Sequence, residues 1–335
     1  MSAPSGDSIA LLGAGSWGTA LAIHMARAGF RVKLWGNEPA HMARLRAERC
    51  NQQFLPGVAF PRSLQPEADL AVALEAAHLV MIAIPSHAFR DFLSGNSSLF
   101  ADDLPVSWAS KGLEVGSGKL LHQVVQEALP QCRHTAVLSG PTFAREVAEG
   151  LPTAITVASS TEWLAEELRA YLHTGNFRAY MSDDIIGVEL GGALKNVLAI
   201  AAGASDGLGF GANARAALIT RGLAEIMRLG EAMGAQRETF MGLAGLGDLV
   251  LTCTDNQSRN RRMGLLLAEG LSIEAAREQI GQEVEGVRTA QEAQRLAERH
   301  QVDMPIIEQV FSVLYHGKSP HDAVKTLLSR DTRVE

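Results

Sequence analysis

Cysteine is scarce in this chain: there are only three, Cys50, Cys132 and Cys253, odd in number and far apart. That spacing encodes neither a disulfide framework nor a zinc site, so no metal is expected and a reducing cytoplasm is the expected compartment. A basic excess is also missing. Thirty Lys and Arg stand against 37 Asp and Glu, a net charge of −7, which argues against a nucleic-acid partner, whose phosphates demand the opposite balance. The first residues, MSAPSGDS, carry no basic charge ahead of an apolar run, and no stretch reads as the roughly 18 uncharged apolar residues of a membrane helix. The expectation is a protein neither secreted nor membrane-spanning. What the chain has is ordinary folding material. Hydrophobic residues make up 47% and charged ones 20% of 335 residues, enough to bury more than one core, so two domains are expected.

From Ser8 to about Tyr180 short aliphatic runs alternate with amphipathic stretches of helical length, the pattern of βα units on a parallel sheet. The runs are 9–12, 31–35, 79–84, 106–109, 135–138, 154–158 and 177–180. Ser159 and Glu162 have the spacing of a capping box at the start of a following helix. After Asp183 the strand pattern stops and nearly everything to Ser329 reads as helix. The fold class expected is therefore α/β: an N-terminal Rossmann-like doubly wound domain, residues 1–188, followed by an all-α C-terminal domain, residues 189–335. In the helix predicted from Ala212, Leu218, Ile219, Leu223, Ile226, Met227 and Met233 form an apolar stripe. Packing inside the domain is the main reading of that stripe, and a homodimer interface is the other.

Ile9–Leu12 runs straight into Gly13-Ala14-Gly15-Ser16-Trp17-Gly18, a GxGxxG between a predicted strand and a predicted helix. That context makes it far more specific than the bare pattern. Gly13 permits the tight turn, Gly15 lets backbone approach a pyrophosphate, and Gly18 lets helix and strand lie close. The amides and dipole of the helix start then attract the phosphates. NAD-selective folds usually place an acid at the end of the second strand to hold the ribose. Here the strand ends Leu34-Trp35-Gly36-Asn37, so a 2′-phosphate would not be repelled and the cofactor is NADP or NAD.

Val188, Gly191, Gly192, Lys195 and Ala199 share one face of the helix predicted from Asp184. Two helical glycines cost roughly 1 kcal/mol each, which implies that something approaches that backbone closely. A lysine in such a recess is partly desolvated, and a lowered pKa suits proton transfer near neutrality. A lysine snorkelling over a helix contact is the bland alternative. Asp248, alone in the run Gly245–Leu251, needs a partner if buried, and Lys195 is the obvious one. Ser258, Arg259 and Asn260, followed by Arg261 and Arg262, could hold a phosphate, although a solvated basic helix start has the same pattern. Lys111, in Ser110-Lys111-Gly112, and Gly140 and Thr142, in Ser139-Gly140-Pro141-Thr142, follow predicted strands and place donors at the sheet's carboxyl edge, where ligands bind.

The segments GAGSWGTA, NQQFLPG from Asn51, AIPS, ASKGLE, LSGPTFAREV, ELGGALKNVLAIAAG, GLAGLGDLVLTC and SRNRRMG occur in this order, and the chain resembles bacterial-type NAD(P)-dependent glycerol-3-phosphate dehydrogenases from Ile9 to about Leu328. The resemblance implies that Lys195 is the catalytic acid and base, with Asp248 beside it. It further implies that Lys111, Gly140 and Thr142 meet the substrate and that Ser258, Arg259 and Asn260 bind the glycerol phosphate end. Ser16, Trp17, Lys111, Ala144, Arg259 and Glu285 match cofactor positions. Glu283 stands where relatives often carry an apolar residue near the cofactor, and Asn37 where many have His or Arg. The implied reaction interconverts dihydroxyacetone phosphate and sn-glycerol 3-phosphate for glycerophospholipid synthesis. Two competitors share part of the pattern. A lysine-dependent β-hydroxyacid dehydrogenase would use the glycine turn and Lys195 but not the Ser258–Arg262 cluster. A non-catalytic NADP-sensing module would need neither Lys195 nor Asp248.

Overall fold

The computed structural model describes residues 8–330; residues 1–7 and 331–335, the outer ends of the two expected domains, lie outside the described residues. The chain divides into two compact units, one of residues 1–110 and 121–185, the other of residues 111–120 and 186–335. The short segment Lys111–Leu120 thus groups with the helical unit, because Leu113 and Leu120 are buried in that unit's apolar core.

Among the described residues the first unit has ten strands: β1 (Ser8–Leu12), β2 (Arg31–Trp35), β3 (Cys50–Asn51), β4 (Leu55–Ala59), β5 (Leu64–Glu67), β6 (Leu79–Ile82), β7 (Val106–Trp108), β8 (Thr135–Ser139), β9 (Thr153–Ser159) and β10 (Phe177–Ser182). Eight of them form one sheet in the order β10-β9-β8-β7-β6-β1-β2-β5. Reversal of the strand order on either side of β1 makes this the Rossmann-like arrangement expected. The central strands are covered on both faces, so β1 and β6 are buried along their whole length, which is why they read as unbroken apolar runs. The sheet is not wholly parallel as expected. β9 runs antiparallel to β8, while β10 is parallel to β9. Between β8 and β9 lies only the six-residue helix Ala144–Glu149, which packs on the helix Ser16–Arg27 through a hydrogen bond from Arg27 to the Ala148 carbonyl of 2.5 Å.

Three strands were not expected. β3 and β4 form a two-stranded antiparallel hairpin. β5 contains Pro66, tolerated because the strand is at the sheet's edge. The capping-box expectation is corrected: Ser159 ends β9 and its hydroxyl donates to the Thr135 carbonyl at 2.7 Å. The residue capping the helix Glu162–Leu172 is Thr161, with no side-chain cap bond.

The second unit is helical. Its central element, the helix Ile185–Gly207, is long and apolar enough by length and composition to cross a membrane, with mean hydropathy 1.6, but 83% of that window is buried inside the protein. It is a core helix. The helix Gly211–Ala232 turns its apolar stripe inward as well: Ile219, Leu223, Ile226 and Met227 belong to the buried core, and Leu218 and Met233 pack against it. The basic segment opens the helix Arg259–Ala268. Arg237–Met241, Leu243–Gly247, Asp248–Thr254 and Pro320–Leu328 are helical too, in keeping with the helical reading of this half of the chain.

Candidate active site

In the second unit, three residues distant in sequence converge. Gly191 lies on the helix Ile185–Gly207 where a Cβ would fall 2.5 Å from the carbonyl oxygen of Ala244. Only glycine admits that backbone, and it brings the Leu243–Gly247 segment against the helix one turn before Lys195. Asp248 follows immediately, 1% exposed. Its Oδ1 accepts a hydrogen bond from Lys195 Nζ. The Nζ of Lys111 donates to its Oδ2 at 2.7 Å. Thr252, one turn further along Asp248–Thr254, donates to the Asp248 carbonyl at 2.6 Å and lies 3.4 Å from Oδ1. The carboxylate is therefore held by two lysine amino groups, one on each oxygen.

Lys195 is 7% exposed. Burial is the main influence on it and lowers its pKa to about 7; the Asp248 charge opposes that shift and the Lys111 charge adds to it. Such a group holds or gives up a proton near neutrality, as general acid–base chemistry requires.

Ser258, Arg259 and Asn260 open the helix Arg259–Ala268. Ser258 is its N-cap, its hydroxyl accepting from the Arg261 amide at 3.2 Å. Asn260 is committed to the protein, donating to Asn196 Oδ1 at 2.9 Å and accepting from the Gly286 amide at 2.9 Å. Arg261 is buried against Asp206, at 2.5 Å. Arg259 differs from both. Among the described residues its guanidinium makes no hydrogen bond, and desolvation, partly offset by the charges of Glu285 and Glu283, lowers its pKa. Glu285 begins the helix Glu285–His300, and Glu283 pairs with Arg288 at 3.2 Å. Asn196, next to Lys195, and Thr252 went unnoticed in the sequence. Their only signals are adjacency to one expected residue and an i, i+4 spacing from the other.

In the first unit the glycine turn follows β1. Gly13 has φ +122°, and a Cβ there would lie 2.5 Å from the Ala83 carbonyl oxygen. A Cβ on Gly18 would lie 1.9 Å from the Gly13 oxygen, whereas one on Gly15 would meet nothing within 4 Å. Two glycines therefore close the turn, while the third leaves open space beside it. The helix Ser16–Arg27 starts there without a side-chain cap, and Trp17 Nε1 is buried with no hydrogen-bond partner among the described residues. Open space, an uncapped helix start and an unsatisfied donor fit a dinucleotide's phosphates. Asn37 follows β2 and is exposed; Gly140 is buried after β8, Thr142 donates to its carbonyl at 3.1 Å, and Ala144 starts the next helix. Among the described residues no three His, Cys, Asp or Glu gather as a metal site.

Comparison with known proteins matches residues 8–165 to the N-terminal and 184–325 to the C-terminal model of NAD-dependent glycerol-3-phosphate dehydrogenase. The chain belongs to that family. It is 57% identical over 328 residues to glycerol-3-phosphate dehydrogenase [NAD(P)+] of Shewanella sediminis, covering 98% of this chain and 97% of that one. With the same-named protein of Thioalkalivibrio sulfidiphilus it shares 58% identity over 327 residues, 98% of each chain. A solved glycerol-3-phosphate dehydrogenase from Coxiella burnetii superposes with a TM-score of 0.94 at 47% identity, over 98% of this chain and 100% of that one. Glycerol-3-phosphate dehydrogenases of this family thus share the chain's fold over nearly its full length.

Proposed function

We propose that this chain is an NAD(P)-dependent oxidoreductase that interconverts dihydroxyacetone phosphate and sn-glycerol 3-phosphate, supplying the latter for glycerophospholipid synthesis. The observation that carries the chemistry is the buried array Lys195–Asp248–Lys111, with a lysine whose proton is labile near pH 7. NAD(P)H, when bound, supplies the hydride. As the C2 carbonyl becomes an alkoxide, Lys195 delivers a proton from Nζ to its oxygen, and in oxidation it takes that proton back. Asp248 holds the ammonium in position and balances its charge. Lys111, on the other carboxylate oxygen, meets substrate together with Gly140 and Thr142.

Arg259 holds the substrate phosphate by charge-assisted hydrogen bonds, with Ser258 and the second amide N–H of Asn260, the one not given to Asn196, at the same helix start. Support comes from its unpaired guanidinium, in contrast to the committed Arg261. Gly13, Gly15, Ser16, Trp17, Gly18, Asn37, Lys111, Ala144, Arg259, Glu283 and Glu285 make up the cofactor site in this reading. Residues 1–188, apart from the segment Lys111–Leu120 and the last residues before 189 that group with the helical unit, serve as the dinucleotide domain and 189–335 as the substrate and catalytic domain. A cytoplasmic location and a homodimer complete the proposal. The buried stripe of Gly211–Ala232 is not available to the dimer interface, and light scattering tests the dimer itself. Loss of NADPH absorbance on adding dihydroxyacetone phosphate tests the activity. Turnover with β-keto acids but not with this phosphate would overturn it.

A further inference from the structure

The NQQFLPG segment is so far without a role. Its first residue, Asn51, is fully buried and sits in the β3–β4 hairpin where the register shifts between Cys50 and Asn51. Such irregularities re-aim a side chain. The Asn51 amide reaches the glycine turn: Nδ2 donates to the Ala14 carbonyl at 3.0 Å and to Thr19 Oγ1 at 2.8 Å. Oδ1 accepts from the Phe54 amide at 3.2 Å and from His41 Nε2 at 3.2 Å. The orientation follows from the partners. A carbonyl can only accept and an amide N–H can only donate, so the nitrogen faces Ala14, the oxygen faces Phe54, and His41 carries its proton on Nε2. Every donor of the side chain is used. The hairpin grips the turn a second time where Ser16 Oγ donates to the Phe54 carbonyl at 2.7 Å.

Ala14 lies between the glycine that closes the turn and the one that leaves space. In a trans peptide the carbonyl and the next N–H point in opposite directions, so fixing the Ala14 oxygen also fixes where the Gly15 N–H points. Gly15 has no side chain to restrain it. We propose that Asn51 is a positioning residue for the dinucleotide turn, holding the Ala14–Gly15 peptide in the orientation that presents the Gly15 N–H to the cofactor. This rests on the turn being the NAD(P) site.

The test is Asn51→Leu, close in shape and uncharged, so that lost affinity cannot come from charge repulsion. NADPH binding is measured by fluorescence titration, and amide exchange over residues 13–19 is measured without cofactor. Loss of two hydrogen bonds to the turn and helix should raise the NADPH Kd by about tenfold or more. Exchange over 13–19 should quicken, and the KM for NADPH should rise while kcat at saturating NADPH stays within about threefold, a split that general destabilisation would not produce. Unchanged Kd and exchange in a folded Asn51→Leu protein overturn the proposal. If that variant does not fold, Thr19→Val frees one Asn51 N–H without changing side-chain shape; it should raise the Kd about threefold, and an unchanged Kd overturns the proposal. Failure of the unmodified protein to bind NADPH or NADH would instead sink the reading of the turn itself.

Discussion

Lys111 and Lys195 meet at one buried carboxylate, each on a different oxygen of Asp248. Because Lys111 shares the carboxylate, its charge offsets part of Asp248's hold on the Lys195 proton and adds to the effect of burial, which is the main cause of the lowered pKa. The consequence is a pH dependence of definite sign. Lys195 in the folded protein loses its proton near pH 7 rather than near its ordinary 10.5. Carbonyl reduction needs the ammonium, so its kcat/KM should fall as pH rises through about 7, while oxidation of glycerol 3-phosphate, needing the free amine, should rise over the same range. Stability carries the same signature. Between about 7 and 10.5 unfolding takes up a proton, so folding stability gains from this group as pH rises across that window. Rates in both directions that are flat from pH 6 to 9 would contradict the assignment.

Gly191 makes the array possible. In Gly191→Ala the new methyl carbon would start 2.5 Å from the Ala244 carbonyl, against backbone that has little room to yield. Such overpacking costs about 1–3 kcal/mol, visible as an earlier urea midpoint. Because the displaced segment leads directly into Asp248, kcat should fall as well. Native stability with native kcat would show that the approach is not tight.

Arg259 is expected to hold the substrate's phosphate. Arg259→Ala should raise the KM for dihydroxyacetone phosphate by about 100-fold, the loss of a buried charge-assisted contact. Unphosphorylated dihydroxyacetone should be affected far less. Equal losses with both substrates would assign Arg259 to the fold or to the cofactor alone.

At the end of β2 the exposed Asn37 presents no carboxylate. NADPH should therefore support turnover at least as well as NADH by kcat/KM, and Asn37→Asp should shift preference toward NADH by repelling a 2′-phosphate and accepting from the ribose. An NADH advantage of about tenfold or more in the unmodified protein would refute this.

How much of this was legible in the sequence depended on whether the signal was local. The turn Gly13–Gly18, the buried strands and the long helices are local patterns, and their burial follows from them. Lys195 and Asp248 could be paired because each was a charge in an apolar, glycine-rich setting that demanded a partner. Lys111 as the second partner was not legible, since Leu113 and Leu120, which seat its segment in the helical core, look like any loop leucines. The hairpin β3–β4 and the strand β5 were hidden by Pro56, Gly57 and Pro66, residues that normally argue against strands and are allowed here by edge positions and short length. The antiparallel direction of β9 was hidden too, because side-chain alternation is identical in both orientations. Asn260 was legible as a site residue but not as a committed one, as its partners Asn196 and Gly286 come from distant helices.

The sharpest test concerns the proton. As hydride reaches the carbonyl carbon, charge develops on its oxygen and must be captured by a donor within hydrogen-bond reach. Lys195 is that donor in the proposed mechanism, being buried, labile near pH 7 and oriented by Asp248. Lys195→Met keeps the stem and roughly the shape while removing the proton and the charge. It leaves Asp248 still neutralised by Lys111, so the carboxylate is not stranded and the protein should fold. General acid catalysis contributes about 10²- to 10⁴-fold, and kcat should drop by at least that much. NADPH affinity by fluorescence should barely change, and the pH dependence near 7 should vanish with the side chain. A variant that keeps more than about a tenth of the original kcat would exclude Lys195 as the donor and pass the role to Lys111, whose ammonium reaches the same carboxylate from the other side.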